Sequence, residues 1–409
     1  MSDILSFGRD RPPRRWRRRW QLAAGAVSVA AALAAALIWY LPGRQHGAQA
    51  RPAATLSPAE PSPVAASMPP TKPARMAGQP LPRDSSLSLL LGGHGPAWLQ
   101  VTTGRADPIR GLPRSGNGYQ FIRIAGGWAA QPSPVTPGCD NCAPGPLPVY
   151  YLADGSRVAS RVGIADFAAP AAIGGALWLV SYRRGADLRT AAGHAQEVSI
   201  TGAALGPRLE LPGGYAIDQG TRAGLLLVRE AAGSGPVRYE LWDPGARRVK
   251  RSFVDLIAAS PTEIAWAGCT EGCQVHVMDL SSGWAGQLSL PGRSTAYAGA
   301  FSPDGRFLAL LVTARITATG QVPAIRLMVA TVASGRLTAV PGTTVGSGNG
   351  VSFGWQAGSH RLIADVAAVT PEQPQEWQIA VWRPGDTRLS TALIRVPENS
   401  WPVIDEGPY

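Results

Sequence analysis

One short strand-and-turn segment recurs in this chain, and its recurrence limits the fold more than any other feature. Leu241-Trp242-Asp243-Pro244-Gly245 returns as Val381-Trp382-Arg383-Pro384-Gly385. Val277-Met278-Asp279-Leu280-Ser281-Ser282-Gly283 and Thr331-Val332-Ala333-Ser334-Gly335 hold the same position. In each, an apolar strand stops at residues that close turns, by bonding back to the backbone or by accepting positive φ. The turn glycines Gly245, Gly283, Gly335 and Gly385 follow one another at 38, 52 and 50 residues. A second element, Ser115-Gly116-Asn117-Gly118-Tyr119-Gln120-Phe121, is echoed by Ser347-Gly348-Asn349-Gly350-Val351-Ser352-Phe353. A period of about 40–50 residues with four short strands per unit predicts a β-propeller.

Nothing after residue 86 repeats apolar residues at helical spacing, whereas strand-like alternation recurs, as in Val275-His276-Val277-Met278. The fold class is therefore all-β, with six full units at about 114–163, 164–214, 215–254, 255–292, 293–342 and 343–398. Residues 87–113 supply only two or three strands, Leu87–Leu91, Trp98–Val101 and Ile109. The leftover Ser400-Trp401-Pro402-Val403-Ile404 is the right length to complete that first unit and close a ring. This predicts seven four-stranded blades, with six as the alternative. Trp98, Trp128, Trp178, Trp266 and Trp355 fall inside the predicted strands and read as packing between blades.

What precedes the domain differs in charge. Residues 1–21 hold seven Arg against Asp3 and Asp10, residues 42–85 hold five basic groups against two acidic, and residues 86–409 hold 26 against 23. The folded part is close to neutral, which argues against a nucleic-acid-binding surface. Residues 22–41 carry no charge, and twenty helical residues would span ~30 Å, one bilayer core. With the Arg cluster before it, this segment reads as a signal anchor, cytoplasmic tail 1–21 inside and the rest exported. The alternative is a signal peptide cleaved near Ala50, after Ala48-Gln49-Ala50. Ten of the 44 residues in 42–85 are Pro, with no apolar periodicity, so this stretch reads as a disordered linker before an extracytoplasmic domain at 86–409.

The strongest single repeat is Phe301-Ser302-Pro303-Asp304-Gly305-Arg306-Phe307-Leu308-Ala309. It resembles the central motif of the WD40-like repeats in the periplasmic Tol-system propeller and many exported bacterial proteins. The strand–turn–strand around Asp279 and Gly283 fits the same pattern, as do Trp242-Asp243 and Trp382. The resemblance implies the fold and a binding role, and it implies no catalytic residues, because the Ser-Pro-Asp-Gly turn serves the fold.

Cys139-Asp140-Asn141-Cys142 and Cys269-Thr270-Glu271-Gly272-Cys273 are two close pairs in expected loops. In an oxidising compartment they are expected to form local disulfides; a shared zinc site and a redox Cys-x-x-Cys are the competing readings. His94 and His194, in expected loops, are the candidate site histidines, while His276 alternates with Val275 and Val277 as a blade-face residue. Asp166, Asp218, Asp243 and Asp365 are scattered. No nucleophile elbow, Walker loop, His-Glu-x-x-His or EF-hand loop is present, and no cofactor is expected. The expected function is a membrane-tethered, non-enzymatic module that binds a protein, peptide or envelope ligand at one end of the channel. The alternative is a lyase- or glycosidase-type propeller enzyme, marked by His94 or His194 within hydrogen-bond reach of a channel carboxylate.

Overall fold

A computed structural model describes residues 75–134, 143–183, 186–229, 237–269, 273–292, 294–314, 324–345, 351–367 and 375–404. The Arg-rich tail, the apolar segment 22–41, linker residues 42–74 and the pair Cys139 and Cys142 lie outside the described residues. Among the described residues there is no helix, hence none long and apolar enough to cross a membrane.

The chain enters through β1 (Gln79–Pro80), followed by β2 (Ser88–Gly93), β3 (Ala97–Gln100) and β4 (Arg105–Pro108). The second blade is β5 (Tyr119–Ile124), β6 (Gly127–Pro132), β7 (Leu147–Ala153) and β8 (Ser160–Ala165). The third is β9 (Phe167–Pro170), β10 (Ala176–Ser181), β11 (His194–Ser199) and β12 (Leu209–Glu210). The fourth is β13 (Tyr215–Thr221), β14 (Gly224–Arg229), β15 (Arg238–Asp243) and β16 (Arg248–Val254). The fifth is β17 (Leu256–Ala259), β18 (Glu263–Cys269), β19 (Cys273–Asp279) and β20 (Ala285–Ser289). The sixth is β21 (Ser294–Phe301), β22 (Phe307–Ala314), β23 (Ile325–Thr331) and β24 (Arg336–Ala339). The seventh is β25 (Val351–Trp355), β26 (Leu362–Ala367), β27 (Glu376–Trp382) and β28 (Ser390–Arg395).

The last strand, β29 (Ser400–Val403), turns back to the first blade and pairs antiparallel with β2, Leu90 opposite Val403 and Gly93 opposite Ser400. The sheet order β29-β2-β3-β4 makes the seventh four-stranded unit, so the tail closes the ring and removes the open edge that six units and a fragment would leave. The seven-bladed expectation holds; in the first blade the fourth strand is Arg105–Pro108, ending just before Ile109.

First strands of successive blades touch, β5 with β9, β9 with β13, β17 with β21 and β21 with β25, which sets them around the axis. Fourth strands such as β16 and β24 are the most exposed and form the outer wall. Seven apolar clusters fill the seven blade interfaces. Trp178 and Trp242 lie between blades three and four, Trp355 and Trp382 between six and seven, and Trp128 between one and two. A strand in this ring is covered on both faces, which explains runs such as Phe307-Leu308-Ala309-Leu310-Leu311-Val312 that do not alternate.

One boundary moves. Residues 75–85, assigned to the linker on composition, belong to the domain: β1 adds in parallel to β28 as a fifth strand of blade seven. Met76 is buried among the side chains between blades six and seven. Composition misses this because the segment contributes one core side chain and a backbone ladder, neither of which needs an apolar run.

Candidate functional site: the long-connection face

Because strands alternate in direction, the connections sort onto two faces. One face takes the links between blades and those between second and third strands; the other takes the remaining turns. The second-to-third links include 133–146, 182–193 and 315–324, whereas turns on the other face are as short as 125–126 and 222–223. Long connections around a rigid ring are where recognition residues are usually placed.

The recurring motif builds the short-turn face. Asp243 Oδ1 accepts from the amides of Gly245 (3.0 Å) and Ala246 (3.1 Å). Asp279 Oδ1 accepts from the Ser281 amide (2.8 Å), the Ser281 hydroxyl (2.6 Å) and the Ser282 amide (2.8 Å). The Ser281 hydroxyl bond, with the Ser282 amide behind it, pulls the Asp279 carboxyl down to about 2. Gly283, at φ 71°, ends that turn. In the strongest repeat Ser302 Oγ donates to Asp304 Oδ1 (2.7 Å) and accepts from the Phe307 amide (2.9 Å). Gly305 takes φ 70°, Pro303 is exposed, and Phe301 is buried between blades five and six. Trp382 Nε1 donates to the Asp386 carbonyl (2.9 Å), locking the turn of Arg383-Pro384-Gly385. Each motif residue is thus spent on turn closure or blade packing.

The long-connection face collects most of the remaining candidates. His94 lies in the β2–β3 link and is exposed. His194, expected in a loop, is the first residue of β11 and is exposed. Cys269 and Cys273, also expected in a loop, are the last residue of β18 and the first of β19, opposite each other in register. β6 ends and β7 begins on the same face; Cys139 and Cys142, between them in sequence, lie outside the described residues. His276 sits on β19 with its ring stacked on Trp266, centroids 5.2 Å apart. Among the described residues, no hydrogen bond or ion pair joins His94 or His194 to a carboxylate, and no group of His, Cys, Asp and Glu is arranged to hold a metal.

Three acidic residues belong to or adjoin the inner strands of blades three, four and five: Asp166 in the β8–β9 link, Asp218 within β13 and Asp255 immediately before β17. Asp166 is buried and accepts from the Tyr182 amide (2.8 Å); Gln131 of blade two donates to the Ala165 carbonyl beside it (2.8 Å). Asp365 is buried opposite Ser352, whose amide donates to its Oδ1 at 3.3 Å, while its Oδ2 has no hydrogen-bond partner. Burial lifts this carboxyl to about 8, against the pull of the Ser352 amide. The sequence signal for it is an acid inside an apolar run, Leu362-Ile363-Ala364-Asp365-Val366. The only basic residue on the seven first strands is Arg123, which is tied to Asp154 (2.7 Å). Asp243 belongs instead to the short-turn face.

The sequence matches no protein-family model and no curated protein. Solved structures share the architecture. The β-propeller domain of the Trilobed protease from Pyrococcus furiosus, described as having an open velcro topology, is 8% identical, with TM-score 0.47, over 80% of this chain and 97% of that one. A protein from Lactobacillus plantarum is 13% identical, with TM-score 0.42, over 78% and 100%. Acylaminoacyl peptidase from Pyrococcus horikoshii is 10% identical, with TM-score 0.49, over 78% of this chain and 52% of the peptidase, so this chain spans about half its length. At these values the likeness is one of fold alone. The fold and faces define a closed seven-bladed β-propeller.

Proposed function

We propose that this chain is a membrane-tethered, extracytoplasmic propeller of the WD40-like kind that binds a protein, peptide or envelope ligand on its long-connection face. One observation carries the reading: the longest connections and the opposed Cys269 and Cys273 lie on one face, while the turns after Asp243, Asp279 and Asp304 on the opposite face are closed by their own side chains. A face whose polar groups are consumed by its own turns has little left for a ligand. The uncharged segment 22–41 and its flanking Arg cluster support the anchor.

A photo-crosslinking residue at Gly95, on the long-connection face, and another at Ser282, on the short-turn face, test the reading in cells. Adducts from position 95 and none from 282 are expected. Equal labelling from both, or adducts from 282 alone, overturns it. Protease added to intact spheroplasts tests the anchor separately: release of a fragment starting within 42–74 supports it, and a soluble protein starting at Arg51 replaces it with a cleaved signal.

A further inference from the structure

The outer wall of the ring is made of fourth strands, and in blade seven that strand is not an edge. Gln79 and Pro80 run parallel to Ser390 and Thr391, the Gln79 amide donating to the Leu389 carbonyl and the Leu81 amide to the Thr391 carbonyl, both at 2.8 Å. The chain shows on itself that an outer strand of this ring accepts an extended segment.

Blade four presents an open counterpart. β16 is seven residues long, against four, six, two, five, four and six for the other fourth strands. Every residue of it except Phe253 is exposed, and among the described residues no strand covers its outer side. It is also the only fourth strand with more than one basic residue: Arg248, Lys250 and Arg251, and no acid. Residues 215–254 hold seven basic and four acidic groups, 7 − 4 = +3, which equals the 26 − 23 = +3 of the whole span 86–409.

These cations differ in availability. Lys250 is paired with Asp243 at 3.1 Å, and Arg251 lies over the Trp266 ring at 5.0 Å. Arg248, together with Arg238 on β15 and Arg247 in the turn, is exposed and has no ion pair among the described residues. Val249, between Arg248 and Lys250, and Val254, at the end of the strand, are 45% and 40% exposed. Positive charge on an edge repels a second copy of the same edge. The same charge attracts an acidic strand, whose backbone would satisfy the open ladder and whose apolar residues would cover the two valines.

We propose that β16 is a docking edge for an acidic, extended polypeptide segment, which joins blade four as a fifth strand in the way β1 joins blade seven. This surface lies on the outer wall and does not depend on the ligand proposed for the long-connection face.

The test is fluorescence anisotropy of a labelled peptide of alternating Glu and Val, of the length of β16, with full-length protein in detergent. Binding is expected, weakening as salt is raised and by about tenfold or more in the Arg238→Glu/Arg248→Glu variant. The same peptide N-methylated at alternate residues, which cannot form the ladder, should bind at least about tenfold less well. Hydrogen exchange on the wild-type protein should show new protection confined to β16, a readout independent of the variant's folding. If the N-methylated or a Lys/Val peptide binds equally, if no binding occurs, or if protection appears elsewhere, the proposal fails.

Discussion

The side-chain amide of Gln378 holds the backbone of Met76 at both of its polar groups: the Met76 amide donates to Gln378 Oε1 at 2.7 Å, and Gln378 Nε2 donates to the Met76 carbonyl at 2.8 Å. Both residues are buried, and the Met76 side chain fills the interface between blades six and seven. A side chain here does the work of a neighbouring strand, satisfying a donor and an acceptor that would otherwise be buried without partners. Beyond Met76, the Ala77 amide donates to the Gly342 carbonyl (2.9 Å), and Leu81 packs into the interface between blades seven and one. The segment that leads into the domain therefore straps the last blade while β29 completes the first.

Gln378→Leu removes both bonds and leaves the Met76 groups unpaired, at a cost of roughly 2–4 kcal/mol. Thermal melting should shift down, and hydrogen exchange should speed up at residues 76–81 with β29 unaffected. Unchanged exchange over 76–81 would show that the ladder with β28 holds the strap without Gln378.

Deleting residues 399–409 should destabilise far more than trimming a free terminus. It removes four paired positions from β2, buried Pro402 and half-buried Trp401, Val403 and Ile404, and opens an edge beside the fully buried Leu90 and Leu91. The expected loss is about 3–6 kcal/mol, a large share of the usual stability of a domain. Gly93→Ala should imitate it, because Gly93 has φ 104° and an added Cβ would strike the Asn399 carbonyl oxygen. A deletion mutant with the wild-type melting temperature would show that β29 is not needed for closure.

Asp365 predicts a pH dependence. Its carboxyl ionises near 3.8 when unfolded and near 8 when folded. The folded state therefore holds a proton that the unfolded state has lost between these values. Stability is highest below pH 4 for this group, falls as pH rises from about 4 to about 8, and levels off above, with a total on the order of 6 kcal/mol. Asp365→Asn should melt like the wild type near pH 4 and increasingly above it as pH rises to 8–9. Parallel pH profiles for the two proteins would rule out a raised carboxyl.

The register of β18 and β19 sets Cys269 opposite Cys273. Directly opposed antiparallel positions have Cα atoms about 4.5–5.5 Å apart, inside the range a disulfide spans. We propose a bridge there and a second between Cys139 and Cys142. Non-reducing peptide mapping of exported protein should find both. Free thiols, or zinc bound stoichiometrically, would replace this reading.

The repeats were enough to place the blades, because turn chemistry is local. Asp243, Asp279 and Asp304 bond to amides within three residues of themselves, so the turns they build are written in adjacent residues. The leftover Trp401–Ile404 likewise announced a closing strand by arithmetic alone. The relations between blades could not be read this way. Nothing near Gln378 in the chain points to Met76, 302 residues away. Nor does anything local set Asp365 among the side chains of blades seven and one, or leave β16 as a bare basic edge while β28 is covered. Those relations depend on which strands become neighbours once the ring closes, and ring closure is decided by the packing of all seven blades together.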